Sequence, residues 1–406
     1  MASNKITKHE DMRQTNTTSI FEHLRRNGPL TKKQLQYSTK LSWGTVSNVS
    51  AALLKNKIIC EIKSEDPSIG RKPIELDINP YENLLIGIDA NLEGLTGVLI
   101  DLKCKVICRL NEVLKSNDMQ EVMNQIQDLI ERLIANAGSK DKVLGIGIAL
   151  PGHVDIKNGI SKYNPHFKGS YNYKIKEVLE SKFGVEALIE HDPNCAALTE
   201  QMMGVAQNVD NFLFIRISVG IGMSLIINNE IYRGSGGSAG EFGHIIVNPD
   251  GPKCDCGNYG CLETYSSCNS IIARAEYYAQ KNSGSVLGTA YNNCGHLTIQ
   301  TIIDTAKEGD KIAHDILHDA AEHLGIAIAN VVNILNPDMI VLGGELSKCE
   351  DYFVRHIRKT VKMHLWGNVE ANIQVSDFLS EAAAIGAGSI FIRKILNGEH
   401  GLLNNI

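Results

Sequence analysis

The chain has 406 residues, 43% of them hydrophobic and 21% charged. That is longer than one ordinary domain, and the composition is that of a globular protein, too apolar for a disordered one. No apolar run reaches the roughly 18 residues of a membrane span. The first residues hold no apolar signal core, so a cytoplasmic location is expected, with no membrane partner. The net charge of −6 is uneven: residues 1–80 carry 13 Lys/Arg against 8 Asp/Glu, and the remainder 27 against 38. A basic front on an acidic body fits a nucleic-acid contact confined to one end, although a surplus this small also arises by chance.

Ile20, Phe21 and Leu24 at helical spacing predict a helix over 15–27, stopped by Gly28-Pro29. Thr31 and Gln34 form a capping-box pattern, which starts a short second helix ending near Tyr37. Ser42 can cap a third helix running to about Lys55, with Val46, Val49 and Leu53 on its apolar face. Three short helices with a tight turn between the last two make a helix-turn-helix pattern. Two β-rich runs, 58–62 and 74–78, flank a loop carrying Gly70-Arg71-Lys72-Pro73, the pattern of a wing. Asn79-Pro80 marks the expected domain boundary.

A recognition helix presents its N-terminal residues to base edges. Here these are Trp43, Gly44, Thr45, Ser47 and Asn48, of which Thr, Ser and Asn can hydrogen-bond bases. Arg25, Arg26, Lys32, Lys33, Lys55 and Lys57 are candidate phosphate contacts. Arg71 and Lys72, on a wing tip, suit a narrow minor groove. The other reading is a three-helix module for protein contacts, with Trp43 in its core.

From Leu84 the texture changes. The run over 84–102 reads as a strand hairpin, followed by a third strand over 105–110 and an amphipathic helix over 119–136. Residues 143–150 read as a buried strand entering Pro151-Gly152. A helix and strand cover 174–190 and end at His191-Asp192. The strand-rich pattern restarts at Phe212. Helices over 298–308 and 310–335, a buried strand over 339–342 and a closing helix over 381–396 complete it. A hairpin followed by α/β units, occurring twice, predicts two related lobes with a cleft between them. The expected domains are 1–80, 81–195 joined by 381–406, and 196–380.

Of ten cysteines, seven are scattered: Cys60, Cys104, Cys108, Cys195, Cys268, Cys294 and Cys349 are expected to be small buried hydrophobes. The other three lie in the run Gly240–Glu263. His244, Cys254, Cys256 and Cys261 there make a four-ligand set of imidazole and thiolates, which suits a closed, structural zinc site. The alternative is a loop of free thiols. The metal would brace a loop that also carries Glu241 and Glu263.

Residues 240–263 closely resemble the signature of the ROK family (repressors, open reading frames, kinases). The preceding run SVGIGMSLIINNEIYRGSGG, the winged helix, Pro151-Gly152, the His191-Asp192 corner and Gly343-Gly344 extend the resemblance over nearly the whole chain. It implies a two-lobed actin-like (ribonuclease H-like) α/β sugar kinase fold behind an N-terminal winged helix-turn-helix, assembled as a dimer or tetramer. It also implies a monosaccharide effector, of xylose, glucose or N-acetyl-hexosamine type, held by Gly152, Asn164, Asp192, Glu241, His244 and Glu263. Family members with a winged helix are mostly repressors that bind operator DNA. His191 departs from the kinases, which usually have Asn before the Asp.

Kinases of the family carry Asp-x-Gly-Gly-Thr in the first hairpin to cradle phosphate. Here the stretch reads Asp89-Ala90-Asn91-Leu92-Glu93, with side chains in place of both glycines and a carboxylate facing the anion's place. The loop Gly220-Ile221-Gly222-Met223-Ser224 also lacks the usual Thr and later glycines. Asp192 is therefore expected to survive as a sugar ligand and vestigial base in a protein that has lost kinase activity. The alternatives are an active sugar kinase and a repressor controlled by a protein partner. Sugar acting through the Asn79-Pro80 connection would change operator binding, in either direction.

Overall fold

The computed structural model describes residues 3–63, 73–164, 166–378, 380–404 and 406, with side chains from Met12 onward. The chain falls into two compact units, Met1–Cys195 with Ala384–Ile406, and Ala196–Ala383.

The first unit opens with α1 (Ser3–Asn27), α2 (Lys32–Thr39) and α3 (Trp43–Lys55), followed by β1 (Ile59–Lys63) and β2 (Ile74–Ile78). Helix α1 begins well before the 15–27 span that its apolar positions mark. The Thr31 capping box is complete, its hydroxyl accepting from the Gln34 amide and the Gln34 side chain from the Thr31 amide. Ser42 caps α3 by accepting from the Thr45 amide at 3.1 Å. Ile20, Phe21, Leu24, Leu35, Val46 and Leu53 are buried in the small core of this module. Strands β1 and β2 pair antiparallel, Ile59 opposite Ile78 and Lys63 opposite Ile74.

The same unit continues with β3 (Leu84–Asn91), β4 (Gly94–Ile100), β5 (Val106–Glu112), α4 (Met119–Ala137), β6 (Val143–Leu150), β7 (His153–Asp155), β8 (Ile160–Tyr163), α5 (Ile175–Phe183), β9 (Ala187–His191) and the start of α6 (Asp192–Met203). Its sheet runs β5-β4-β3-β6-β9, with β3 and β6 parallel and β3 and β4 antiparallel. The strands present Ile86, Ile88, Ile146 and Ile148 to a core closed by α4 and α5. A Cβ on Gly147 would lie 1.9 Å from the Ala387 carbonyl oxygen, so the backbone of the closing helix rests directly on the sheet.

The second unit holds β10 (Phe212–Ile217), β11 (Ile221–Ile227), β12 (Glu230–Ile231), α7 (Glu263–Ser266), α8 (Cys268–Lys281), α9 (Val286–Cys294), α10 (Ile299–Lys307), α11 (Lys311–Leu335), β13 (Met339–Gly343), α12 (Arg355–His364) and β14 (Ile373–Val375). The closing helix α13 (Ala382–Leu396) returns to the first unit. The second sheet runs β12-β11-β10-β13-β14, with β10–β11 antiparallel and β10–β13 parallel. Both sheets thus have the same strand order and sense, as an actin-like α/β fold requires. No helix among the described residues is long and apolar enough to cross a membrane.

Candidate functional site

The helix-turn-helix exposes one face of α3. Trp43 is 52% exposed, Asn48 is exposed, and Thr45 and Ser47 are half-buried. Val46, Val49, Ser50 and Leu53 point the other way. Trp43 is therefore no part of this core. Thr45 shares a hydrogen bond with the Ser42 hydroxyl at 2.9 Å, which orients it within the first turn. Lys33, Lys55 and Lys57 are exposed and Lys32 half-exposed. Arg25 is not available to phosphates: it is 4% exposed, and its guanidinium donates to both Glu22 carboxylate oxygens, at 2.6 and 2.8 Å. Arg26 pairs with the same Glu22. Arg71 and Lys72 lie outside the described residues.

Three of the residues assigned to a sugar lie in the first unit. Gly152 has φ +84°, and a Cβ there would meet the Tyr163 carbonyl oxygen at 2.7 Å. Asn164, 3% exposed, donates through Nδ2 to the Pro151 carbonyl at 3.0 Å and accepts through Oδ1 from the His166 amide at 2.9 Å. It thereby ties the turn after β6 to the segment after β8. Asp192 begins α6, and its carboxylate is 3.6 Å from His191 Nε2. Buried Glu190 fixes this corner, accepting from the His191 amide and the Asn194 side chain, each at 2.9 Å. That bracing role is invisible in the sequence, where Glu190 reads as one more strand residue.

In the first hairpin, Asn91 donates to Asp89 at 2.9 Å and accepts from the Glu93 amide at 2.8 Å. A polar side chain thus closes the turn where the kinases have glycines.

The other three candidates lie in the second unit. Glu241 is exposed and precedes a short 3-10 turn, Phe242–His244. Glu263 is the first residue of α7, and its Oε2 accepts from the Ile221 amide at 2.9 Å. A Cβ on Gly220 would lie 2.5 Å from that oxygen, so the glycine leaves room for the carboxylate.

His244, Cys254, Cys256 and Cys261 converge, one ligand atom from each lying within 4.8 Å of all the others. Cys254 Sγ is 3.7 Å from His244 Nδ1, and Cys256 Sγ is 3.6 Å from Cys261 Sγ. Zinc–thiolate bonds of about 2.3 Å give a tetrahedron with edges of about 3.8 Å, so these separations fit one ion. The loop is shaped for it. The Cys254 amide donates to the Asn258 carbonyl and the Gly257 amide to the Cys254 carbonyl, at 2.8 and 3.0 Å. Gly260 has φ +67°, and a Cβ there would lie 1.5 Å from the Asn248 carbonyl oxygen, which no other residue tolerates. Burial, reinforced by the neighbouring thiols, pushes Cys261 up to about 12 and raises Cys254. Cys256 lies below its ordinary value because, against desolvation, the Asn258 amide and the other thiols favour its thiolate. Three adjacent thiols cannot ionise together without a cation, and a divalent ion supplies that charge. Four protein donors leave no open position, so the ion is structural.

Of the scattered cysteines, Cys104, Cys195, Cys268 and Cys349 are buried as expected, Cys60 and Cys108 are half-buried, and Cys294 is exposed. Cys294 ends α9 against the αL residue Gly295, where the side chain leaves the core.

An actin-like body with a Cys3His zinc loop, behind a winged-helix module, defines the class: a regulator built on a sugar-kinase scaffold. The ROK family model matches residues 85–394, and the chain belongs to the ROK family. It is 30% identical to the xylose repressor of Bacillus spizizenii, over 95% of this chain and 97% of that protein. It is 28% identical to the DNA-binding transcriptional dual regulator NagC of Escherichia coli, over 95% and 94%. Among solved structures it is similar to a ROK family transcriptional regulator, a homologue of the E. coli MLC protein, with TM-score 0.79, 26% identity and coverage of 97% and 98%. A ROK family glucokinase from Streptomyces griseus, in complex with glucose and AMPPNP, matches with TM-score 0.67 and 26% identity, covering 76% of this chain and 98% of its own.

Proposed function

We propose that the chain is a sugar-responsive transcription repressor without kinase activity. The observation that carries this reading is the full-length likeness to named repressors, winged helix included. The glucokinase, by contrast, matches only 76% of the chain. Trp43, Thr45, Ser47 and Asn48 read base edges, and Arg71 and Lys72 contact a minor groove. Gly152, Asn164 and Asp192 of the first unit and Glu241, His244 and Glu263 of the second supply contacts to a monosaccharide. Carboxylates, an amide and an imidazole meet a ring of hydroxyls in fixed geometry, and they reject analogues lacking one. His244 Nδ1, 3.7 Å from Cys254 Sγ, would be the atom that holds zinc, which would leave Nε2 for the sugar. Two copies of the chain bind two half-sites of a pseudo-palindrome.

Loss of phosphoryl transfer is supported by the first hairpin. Its turn is closed by Asn91 and carries Leu92 and Glu93, where phosphate needs close backbone and no anion. The test combines operator binding by fluorescence anisotropy, with and without xylose and N-acetylglucosamine, and a coupled ATPase assay with a panel of aldoses and N-acetyl-hexosamines. Sugar-dependent turnover abolished by Asp192→Asn would replace this reading with that of a kinase.

A further inference from the structure

We propose that Lys103 is a positioning residue that braces the winged helix rigidly to the first unit's sheet, so that the sugar signal reaches DNA by displacing the whole first unit and not by bending at Asn79-Pro80. The signalling half of this statement rests on the function proposed above.

Lys103 sits in the turn between β4 and β5. Buried Asp101 fixes that turn, its Oδ1 accepting from the Lys103 and Lys105 amides at 2.8 and 2.9 Å. The Lys103 ammonium donates to the Gly28 carbonyl at 2.9 Å and to Asp77 Oδ1 and Oδ2 at 2.9 and 3.0 Å. Gly28 follows the C-terminal end of α1, where carbonyls carry partial negative charge, and Asp77 is in β2. One cation from the body therefore grips both the helical and the strand half of the winged helix. The Lys103 and Asp77 side chains are only 25% and 14% exposed, so the pair is partly withdrawn from water.

Four further contacts make the joint stiff. The Lys57 carbonyl, just before β1, accepts from Asn79 Nδ2 at 3.1 Å and Asn83 Nδ2 at 3.2 Å, which locks both ends of the connecting segment to one point. The Asn79 amide also donates to the Ile58 carbonyl at 3.0 Å. Arg25 of α1 is buried beside Cys104, whose thiol contacts Ser389 of α13 at 3.3 Å. A segment pinned at both ends transmits displacement; a loose one averages it away.

The experiment uses the full-length chain with Lys103→Met, the pair Asn79→Ala with Asn83→Ala, Asp77→Asn as a milder variant should Lys103→Met misfold, and Lys103→Arg as the conservative control. Hydrogen exchange of α1–α3 is followed. Operator affinity is measured with and without xylose and N-acetylglucosamine, and sugar affinity by calorimetry. Lys103→Met is expected to keep its sugar affinity and, within about threefold, its sugar-free operator affinity. The sugar-induced change in operator affinity should shrink at least about fivefold and return in Lys103→Arg. Exchange in α1–α3 should quicken. Wild-type response and unchanged exchange in every variant would overturn the brace. If neither sugar acts on the wild type, the functional reading fails, and exchange alone decides the brace: faster in Lys103→Met supports it, unchanged overturns it.

Discussion

Cys256 is the exposed member of the zinc set, and its substitution separates a metal site from the alternative of a loop of free thiols. Cys256→Ser is expected to release the ion, read by metal analysis of the dialysed protein, and to lower both the melting temperature and the sugar affinity, because His244 is one of its ligands and Glu263 starts α7 two residues after the ligand Cys261. Unchanged sugar affinity in the metal-free variant would limit the ion to stability alone. On α3, Asn48→Ala is expected to weaken operator binding by about 1–3 kcal/mol while leaving sugar binding intact, the usual cost of one lost base contact. The zinc ligands were legible because their chemistry is local: four donors within one short run allow one ion. Arg25 was not legible as a buried residue, since a basic residue at a helix end reads as a phosphate contact until its Glu22 partner and the cover over it are seen. Asn164 is similar. Its side chain already holds the Pro151 carbonyl and the His166 amide, so one N–H and one Oδ1 lone pair are what it can offer a ligand.

At the level of elements, long amphipathic or uniformly apolar stretches were readable: α4 and β6 lie within a residue of their expected spans. Helices α8, α9 and α12 and strands β7 and β8 carry no assignment in the sequence reading. Helix α12 buries only Ile357, Thr360 and Val361 amid basic residues, and β7 and β8 have three and four residues, too few for a period to emerge. Helix α12 carries its own prediction. The His356 ring packs 3.7 Å from the His318 ring of α11, and His356 Nε2 is buried without a hydrogen-bond partner among the described residues. Burial, then the nearby His318, lowers the His356 pKa from its ordinary 6.5; Lys359 and His314 add to this and Glu322 opposes it. A histidine whose folded value is depressed contributes stability above the unfolded value, lost as pH falls through about 6.5 and below. The melting temperature is expected to fall on acidification across that window, and His356→Gln should flatten the fall. An equally steep profile in the variant would assign the acid sensitivity elsewhere.

At the level of the whole chain, a sugar can move operator affinity only by as much as its own affinity differs between the DNA-bound and free protein. The coupling is reciprocal, so whatever factor the sugar imposes on operator binding, saturating operator must impose on sugar binding. A coupling of about 1–3 kcal/mol corresponds to roughly 5–150-fold. The expected outcome is that calorimetric titration of xylose or N-acetylglucosamine into the protein–operator complex gives a Kd shifted by the same factor that anisotropy finds for operator with and without that sugar. The shift is upward for an inducer and downward for a co-repressor. Asp192→Asn, which alters a proposed sugar contact far in sequence from the proposed DNA-reading helix, should abolish the sugar's effect and leave sugar-free operator affinity within about twofold. Matching factors in the two titrations would establish that one chain carries both sites and the linkage between them. Sugar binding that is unaltered by operator would mean that the sugar is bound but not sensed.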